Sequence, residues 1–135
     1  MSPNYHAAFS GSRRNVPLAR NAIAGFARVC GFSSEEINDI RLAAGEALNN
    51  AVEHGKQDRS PGFSIRCNFA EGELTIEIRD NGVGFVPHDG VDDTPLEERT
   101  RGFGIFLMRK LMDGVHFGRN GTLVRLTRRQ EANVT

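Results

Sequence analysis

The sequence predicts an α+β fold, a two-layer sandwich in which about three helices cover one face of an antiparallel sheet. Three observations predict it. Leu18, Ala22, Ile23, Phe26, Ala27 and Cys30, then Ile37, Ile40, Ala44, Leu48 and Ala51, recur at helical spacing. Phe63, Ile65, Cys67 and Phe69, then Leu74, Ile76 and Ile78, alternate with polar residues, as strands with one buried face do. The helical and strand patterns are segregated along the chain, which favours an α+β layer arrangement.

The elements follow in order. Residues 5–10 read as a short edge strand. Asn15 is placed to cap the first helix, with Pro17 in its first turn. Gly31 ends that helix as a C′ glycine. Ser33 and Glu36 stand at capping-box spacing, and the second helix should run from Ser34 to His54. Mid-helix Gly45 costs about 1 kcal/mol against Ala, so it should serve close packing or close ligand approach. Residues 56–62 form a polar loop ending in Pro61-Gly62. Glu71-Gly72 turns the hairpin between the two alternating runs. Residues 86–101 are acidic, contain Pro87 and Pro95, and show no periodicity, which is expected of a functional loop. A third helix should cover Gly104 to Met112. A closing hairpin turns at Asn120-Gly121.

Bulk properties narrow the function. A chain of 135 residues fits one domain with one core. Seventeen basic residues balance seventeen acidic ones, which argues against direct nucleic-acid binding. Arg125, Arg128 and Arg129 read as a solvated strand end. Cys30 and Cys67 have no metal-ligand spacing and read as buried free thiols of a reducing compartment. No apolar run is long enough to span a bilayer, and the N-terminus has no signal-like apolar core. The expectation is a cytoplasmic protein with no membrane contact.

Three short segments carry chemistry. In the second helix, Glu46 and Asn50 stand four residues apart and share a face. A carboxylate there can accept a proton, and a carboxamide oxygen suits Mg²⁺. Asn49 should point elsewhere, since neighbours on a helix diverge by about 100°. His54 reads as a helix-end residue. Asp80, at a strand end before Gly82 and Gly84, can accept from an exocyclic amine while the glycines let backbone approach a ligand. Gly102-Phe103-Gly104 stands directly before the predicted third helix, whose first amides attract anions, with Arg99 and Arg101 nearby. Each segment alone is weak; a plain turn, a hinge or a solvated helix face explains it as well.

In combination they resemble the Bergerat-type ATP-binding fold of gyrase, heat-shock chaperones, mismatch-repair ATPases and sensor histidine kinases. Glu46-x-x-x-Asn50-Ala51-x-x-His54-Gly55 looks like the N box, Asp80-x-Gly82-x-Gly84-Phe85 like the G1 box, and Gly102-x-Gly104-Ile105-x-Leu107 like the G2 box. The resemblance covers about residues 10–129 of a single domain, 1–135, with a mobile ATP lid at about 86–101. Gly45-Glu46-Ala47-Leu48-Asn49-Asn50-Ala51 and Leu111-Met112-Asp113 bring it nearest to the bacterial anti-sigma-factor serine/threonine kinases.

That resemblance implies a mixed, mostly antiparallel sheet, ATP and Mg²⁺ as cofactors, and transfer of phosphate to a small STAS-domain anti-anti-sigma partner. Many such proteins also sequester a sigma factor, commonly as homodimers. Carried over, Glu46 would be the general base or orienter of the partner hydroxyl, Asn50 the Mg²⁺ ligand, and Asp80 the acceptor for the adenine amine. Gly82, Gly84, Phe85, Gly102, Phe103 and Gly104 would shape the nucleotide walls, and Arg99 or Arg101 would reach the γ-phosphate. Two readings compete with the kinase. One is a nucleotide-binding partner-switch module with little or no transfer, which would have no use for Glu46. The other is a detached histidine-kinase domain, disfavoured by an N box without the aromatic-Thr ending usual there.

Overall fold

A computed structural model describes residues 2–55, 62–80 and 96–131. It consists of β1 (Asn4–Ser10), α1 (Asn15–Val29), α2 (Ser34–Gly55), β2 (Gly62–Ala70), β3 (Glu73–Asp80), α3 (Leu96–Leu111), β4 (Gly114–Gly118) and β5 (Leu123–Arg129). The strands form one sheet in the order β1-β2-β3-β5-β4. Each described pairing is antiparallel, within the mostly antiparallel sheet expected. The expected edge strand is β1.

Sheet parity decides where the core lies. Phe63, Ile65 and Cys67 of β2, Leu74, Ile76 and Ile78 of β3, and Val124 and Leu126 of β5 are buried in register. Above them sit Ile23 of α1, Ile40 and Leu48 of α2, and Ile105 and Met108 of α3. Burying one such side chain contributes about 1.5–3 kcal/mol, so the layer contact stabilises both halves. All five stripe residues predicted for α2 are buried. Burial pushes the Cys67 thiol up to about 12, with a smaller contribution from Cys30. Cys67 therefore packs as an apolar group, while Cys30 is only half-buried rather than fully enclosed.

Two helix ends and the first hairpin turn form as the local chemistry dictates. Gly31 adopts φ +92°. Its amide donates to the Arg28 carbonyl and the Phe32 amide to that of Ala27, a Schellman closure. Phe32 then packs edge-on against Phe69 of β2 at 5.6 Å. The capping box is made in full: the Ser33 amide donates to Glu36 Oε1 at 2.8 Å, and the Glu36 amide to Ser33 Oγ at 3.1 Å. The Glu71-Gly72 turn has both residues at positive φ, 53° and 77°, the twist a two-residue hairpin requires.

Two boundaries differ from expectation. Asn15 does not cap α1. The chain already turns at Ser12 and Arg13, whose carbonyls accept from the Asn15 and Val16 amides, so Asn15 falls inside the helix and Arg14 takes the cap position without a side-chain bond. The Asn15 carboxamide instead donates back to the Ser10 carbonyl and hydroxyl, tying β1 to α1. Helix α3 starts at Leu96 rather than at Gly104. Leu-Glu-Glu-Arg is a run of good helix formers, and it outweighs the two glycines that follow. The remainder of the predicted lid, residues 86–95, lies outside the described residues.

Of the C-terminal arginines, Arg125 and Arg129 are solvated as expected, while Arg128 is largely buried and structural. Arg128 bonds Asp39 of α2 at 3.0 Å and the Leu111 carbonyl, Arg125 reaches Glu77, and Arg129 reaches Glu73. Glu36, only 3% exposed, also accepts the Glu131 amide through Oε2 at 2.8 Å. Burial raises the Glu36 pKa, but the Ser33 and Glu131 amides, the Ser33 hydroxyl and the Arg128 charge outweigh it and hold the carboxyl below its ordinary 4.5. A carboxyl depressed in the folded state contributes stability that is complete above its unfolded pKa and lost as pH falls through the folded value. Thermal melts should therefore show the wild type losing Tm below pH 4.5 more steeply than Glu36→Gln. Glu36→Ala should cost about 1–2 kcal/mol at neutral pH, because two part-buried amides lose their acceptor.

Candidate nucleotide site

The parity that buries Leu74, Ile76 and Ile78 points Asp80 to the same helix-covered face. A carboxylate, 7% exposed, therefore stands where the apolar row would otherwise continue. Its backbone amide donates to the Thr122 carbonyl at 2.8 Å, which draws the β4–β5 connection over the end of β3.

Helix α2 brings the second polar group. Asn50, 9% exposed, flanks the buried stripe one turn beyond Ala47 and beside Ala51. Asn49 is exposed, as the angular argument requires. Asn50 and Asp80 line one pocket, closed by Ala47, Ala51, Ile78, Met108, Phe117, Gly121, Thr122 and Val124. Its atom-free space is about 250 Å³, counting the side open to solvent. The enclosed part of this space holds about one water, so its match to a flat ring with an exocyclic donor lies in the carboxylate and carboxamide rather than in size.

Among the described residues, Arg20 Nε and Asn50 Nδ2 are the buried side-chain nitrogens with no hydrogen-bond partner. Such a group costs about 1–3 kcal/mol, and in Asn50 it borders the pocket. The two ends of a carboxamide exchange by a half-turn, so Asn50 can present either oxygen or nitrogen to whatever enters. No group of three or more His, Cys, Asp or Glu among the described residues could hold a metal. Mg²⁺ is commonly bound by one or two protein groups plus substrate phosphates and water. The Asn50 side-chain oxygen is a hard, neutral donor of the type Mg²⁺ accepts.

Glu46 lies one turn before Asn50, half-buried, and faces α3. A Cβ added at Gly104 would stand 2.8 Å from Glu46 Oε2. Two pairs of predicted residues thus come together, Asn50 with Asp80 and Glu46 with Gly104. Gly104 and Gly102 lie within α3, not ahead of it, so the helix-start anion site expected there is not formed by them. Phe103 is 64% exposed and stacks on Phe106, which Lys110 overlies, outside the pocket lining. The side chains of His54, Arg99 and Arg101, and all of Gly82, Gly84 and Phe85, lie outside the described residues.

Thr122, Gly121, Met108 and Phe117 were absent from the residues expected at the site. The sequence marks them as turn or core; Gly121, Thr122 and Phe117 reach the pocket through β5 pairing with β3 and β4, and Met108 through α3 packing on α2.

Residues 9–128 match the histidine kinase-like ATPase domain. The chain belongs to that family. Its fold accordingly serves ATP. An anti-sigma F factor of Thermoanaerobacter sp. (strain X514) is 32% identical over 127 residues, 89% of each chain. A serine-protein kinase RsbW of Oceanobacillus iheyensis is 37% identical over 109 residues, 74% of this chain and 69% of that one. The crystal structure of the RsbU and RsbW domains of Rv1364c from Mycobacterium tuberculosis superposes with a TM-score of 0.69 at 22% identity, covering 95% of this chain and 32% of that longer one, a likeness of fold. No helix among the described residues is long and apolar enough to cross a membrane.

The buried Asn50 Nδ2 without a partner is a stability cost. Asn50→Leu should leave the Tm of the nucleotide-free protein unchanged or raise it, since it removes a buried donor without a partner. A melt of the free protein checks this, and a fall of several degrees would show that Asn50 is structural.

Proposed function

We propose that this chain is an ATP-dependent protein serine/threonine kinase of the anti-sigma-factor type. Its acceptor is a hydroxyl on a small STAS-domain anti-anti-sigma protein, and a sigma factor is its second partner. The observation that carries the reading is the pairing of Asn50 and Asp80 in one apolar pocket, with Glu46 one turn away. The names borne by its relatives, anti-sigma F factor and serine-protein kinase, agree with it. Action in the cytoplasm, as a homodimer, belongs to the same reading.

In this reading Asp80 accepts from the adenine amine and fixes the base in the slot. Asn50 would hold Mg²⁺ through its side-chain oxygen; the ion, when bound, neutralises phosphate charge. Glu46 orients the acceptor hydroxyl and takes its proton as the oxygen attacks the γ-phosphorus and ADP leaves. Phosphoryl transfer needs positioning and charge neutralisation more than covalent help from the protein, and one acid beside a nucleotide pocket meets that need. Arg99 or Arg101 supplies the cation for the γ-phosphate. Retention of Glu46 favours the kinase over a partner switch without transfer.

The test is transfer from γ-³²P-ATP, with and without Mg²⁺, to a STAS-type protein encoded beside this chain. Glu46→Ala should keep ATP affinity and lose transfer by about 10²–10⁴-fold; transfer at the wild-type rate would remove the base assignment. Asp80→Asn should weaken ATP binding itself by about 1.5–3 kcal/mol, the worth of a hydrogen bond to a charged acceptor. Calorimetric titration reads that loss, and unchanged affinity would refute the adenine role.

A further inference from the structure

We infer that Gly104 is a positioning residue for Glu46: its missing side chain is the space into which the Glu46 carboxylate fits. Gly104 is buried within α3, well inside the helix. Its backbone does not call for glycine, because the glycines at positive φ among the described residues are Gly31, Gly72 and Gly121. Helix propensity disfavours it, since alanine is the better former in a helix interior. What a Cβ would meet is specific. It would stand 2.8 Å from Glu46 Oε2, against 3.7 Å from Cδ and 3.9 Å from Cβ of the same residue.

The atom in the way is therefore the carboxylate oxygen alone. Backbone separation between α2 and α3 would tolerate a methyl group, and the carboxylate would not. Gly45, the glycine on the α1 side of α2, differs. A Cβ there would lie 3.4 Å from the Arg20 stem, an ordinary contact. One wall of the space that Glu46 occupies is thus built from an absence on the neighbouring helix, and α3 sets where the carboxylate rests.

The catalytic consequence rests on the kinase reading above; the steric one does not. Gly104→Ala in the full chain should fold with a Tm equal to or above wild type. A crystal structure should show the Glu46 carboxylate swung off α3. Transfer to the STAS-type acceptor should lose about 10–100-fold in kcat, the usual penalty of a misplaced catalytic group, while KM for ATP moves little. Glu46→Asp withdraws the carboxylate from α3 by one methylene. In that background Gly104→Ala should add no further loss beyond about twofold, a non-additivity expected of groups in contact.

If Gly104→Ala instead fails to fold, Glu46→Ala in the same chain should restore folding, because it removes the obstructed atom. A double variant that stays unfolded overturns the inference. So does a Gly104→Ala crystal with Glu46 in place, a KM rise matching the kcat loss, or penalties that multiply independently. A wild-type rate in Glu46→Ala alone would remove the base assignment, leaving the kinase reading in place and the steric result to be read from the crystal.

Discussion

Helix α2 is held on three sides. It packs on β2, β3 and β5 below, on α1 along one flank and on α3 along the other. Its first turn is closed by the Ser33–Glu36 box, and the second oxygen of Glu36 takes the Glu131 amide just beyond β5. Arg128, on β5, adds a bond to Asp39 one turn further along. These contacts fix the rotation of α2 as well as its position. Successive residues on a helix diverge by about 100°, so a slip of one residue would carry Asn50 off the pocket and Glu46 off α3. The site depends on an anchor at the far end of the same helix.

Given that rotation, polar residues occupy places where apolar ones would stabilise the fold more. Asp80 continues a row that begins with Leu74, Ile76 and Ile78, and Asn50 keeps a buried donor with no partner. Both face a slot lined by Ile78, Met108, Phe117 and Val124. Departures from local packing rules of this kind concentrate where a protein binds something. In the proposed function the apolar walls supply burial for the nucleotide base and the two polar groups select it.

What could be read from the sequence was what short-range chemistry determines. The span of α2, the capping box, the Gly31 closure and the hairpin over 63–80 each follow from residues within a turn or two of one another. Asn50 and Asp80 were legible as candidates because each breaks a local pattern. Asn15 misled because Asn is a common N-cap, whereas the turn at Ser12 and Arg13 had already started the helix. Gly102 and Gly104 misled because glycine punctuates loops more often than it lines helix seams. The reason for Gly104 lies on another helix, and no local pattern encodes a contact between α2 and α3.

The glycines show why composition alone underdetermines a role. Gly31 and Gly72 are required by backbone conformation. Gly45 is tolerated by a neighbouring side chain that would also accept a methyl group, and Gly104 is matched to one oxygen of one carboxylate. These are different constraints written with the same letter. Their placement also divides the labour of α2: one side presents Asn50 to the pocket with Asp80, and the adjoining side rests Glu46 on α3. In the proposed function, binding and chemistry then answer to different neighbours. The pocket answers to the sheet, through β3 and the β4–β5 connection, while the acid answers to the position of α3. A shift of α3 against α2 would reach Glu46 directly through the Gly104 contact and, among the described residues, reach the pocket through Met108.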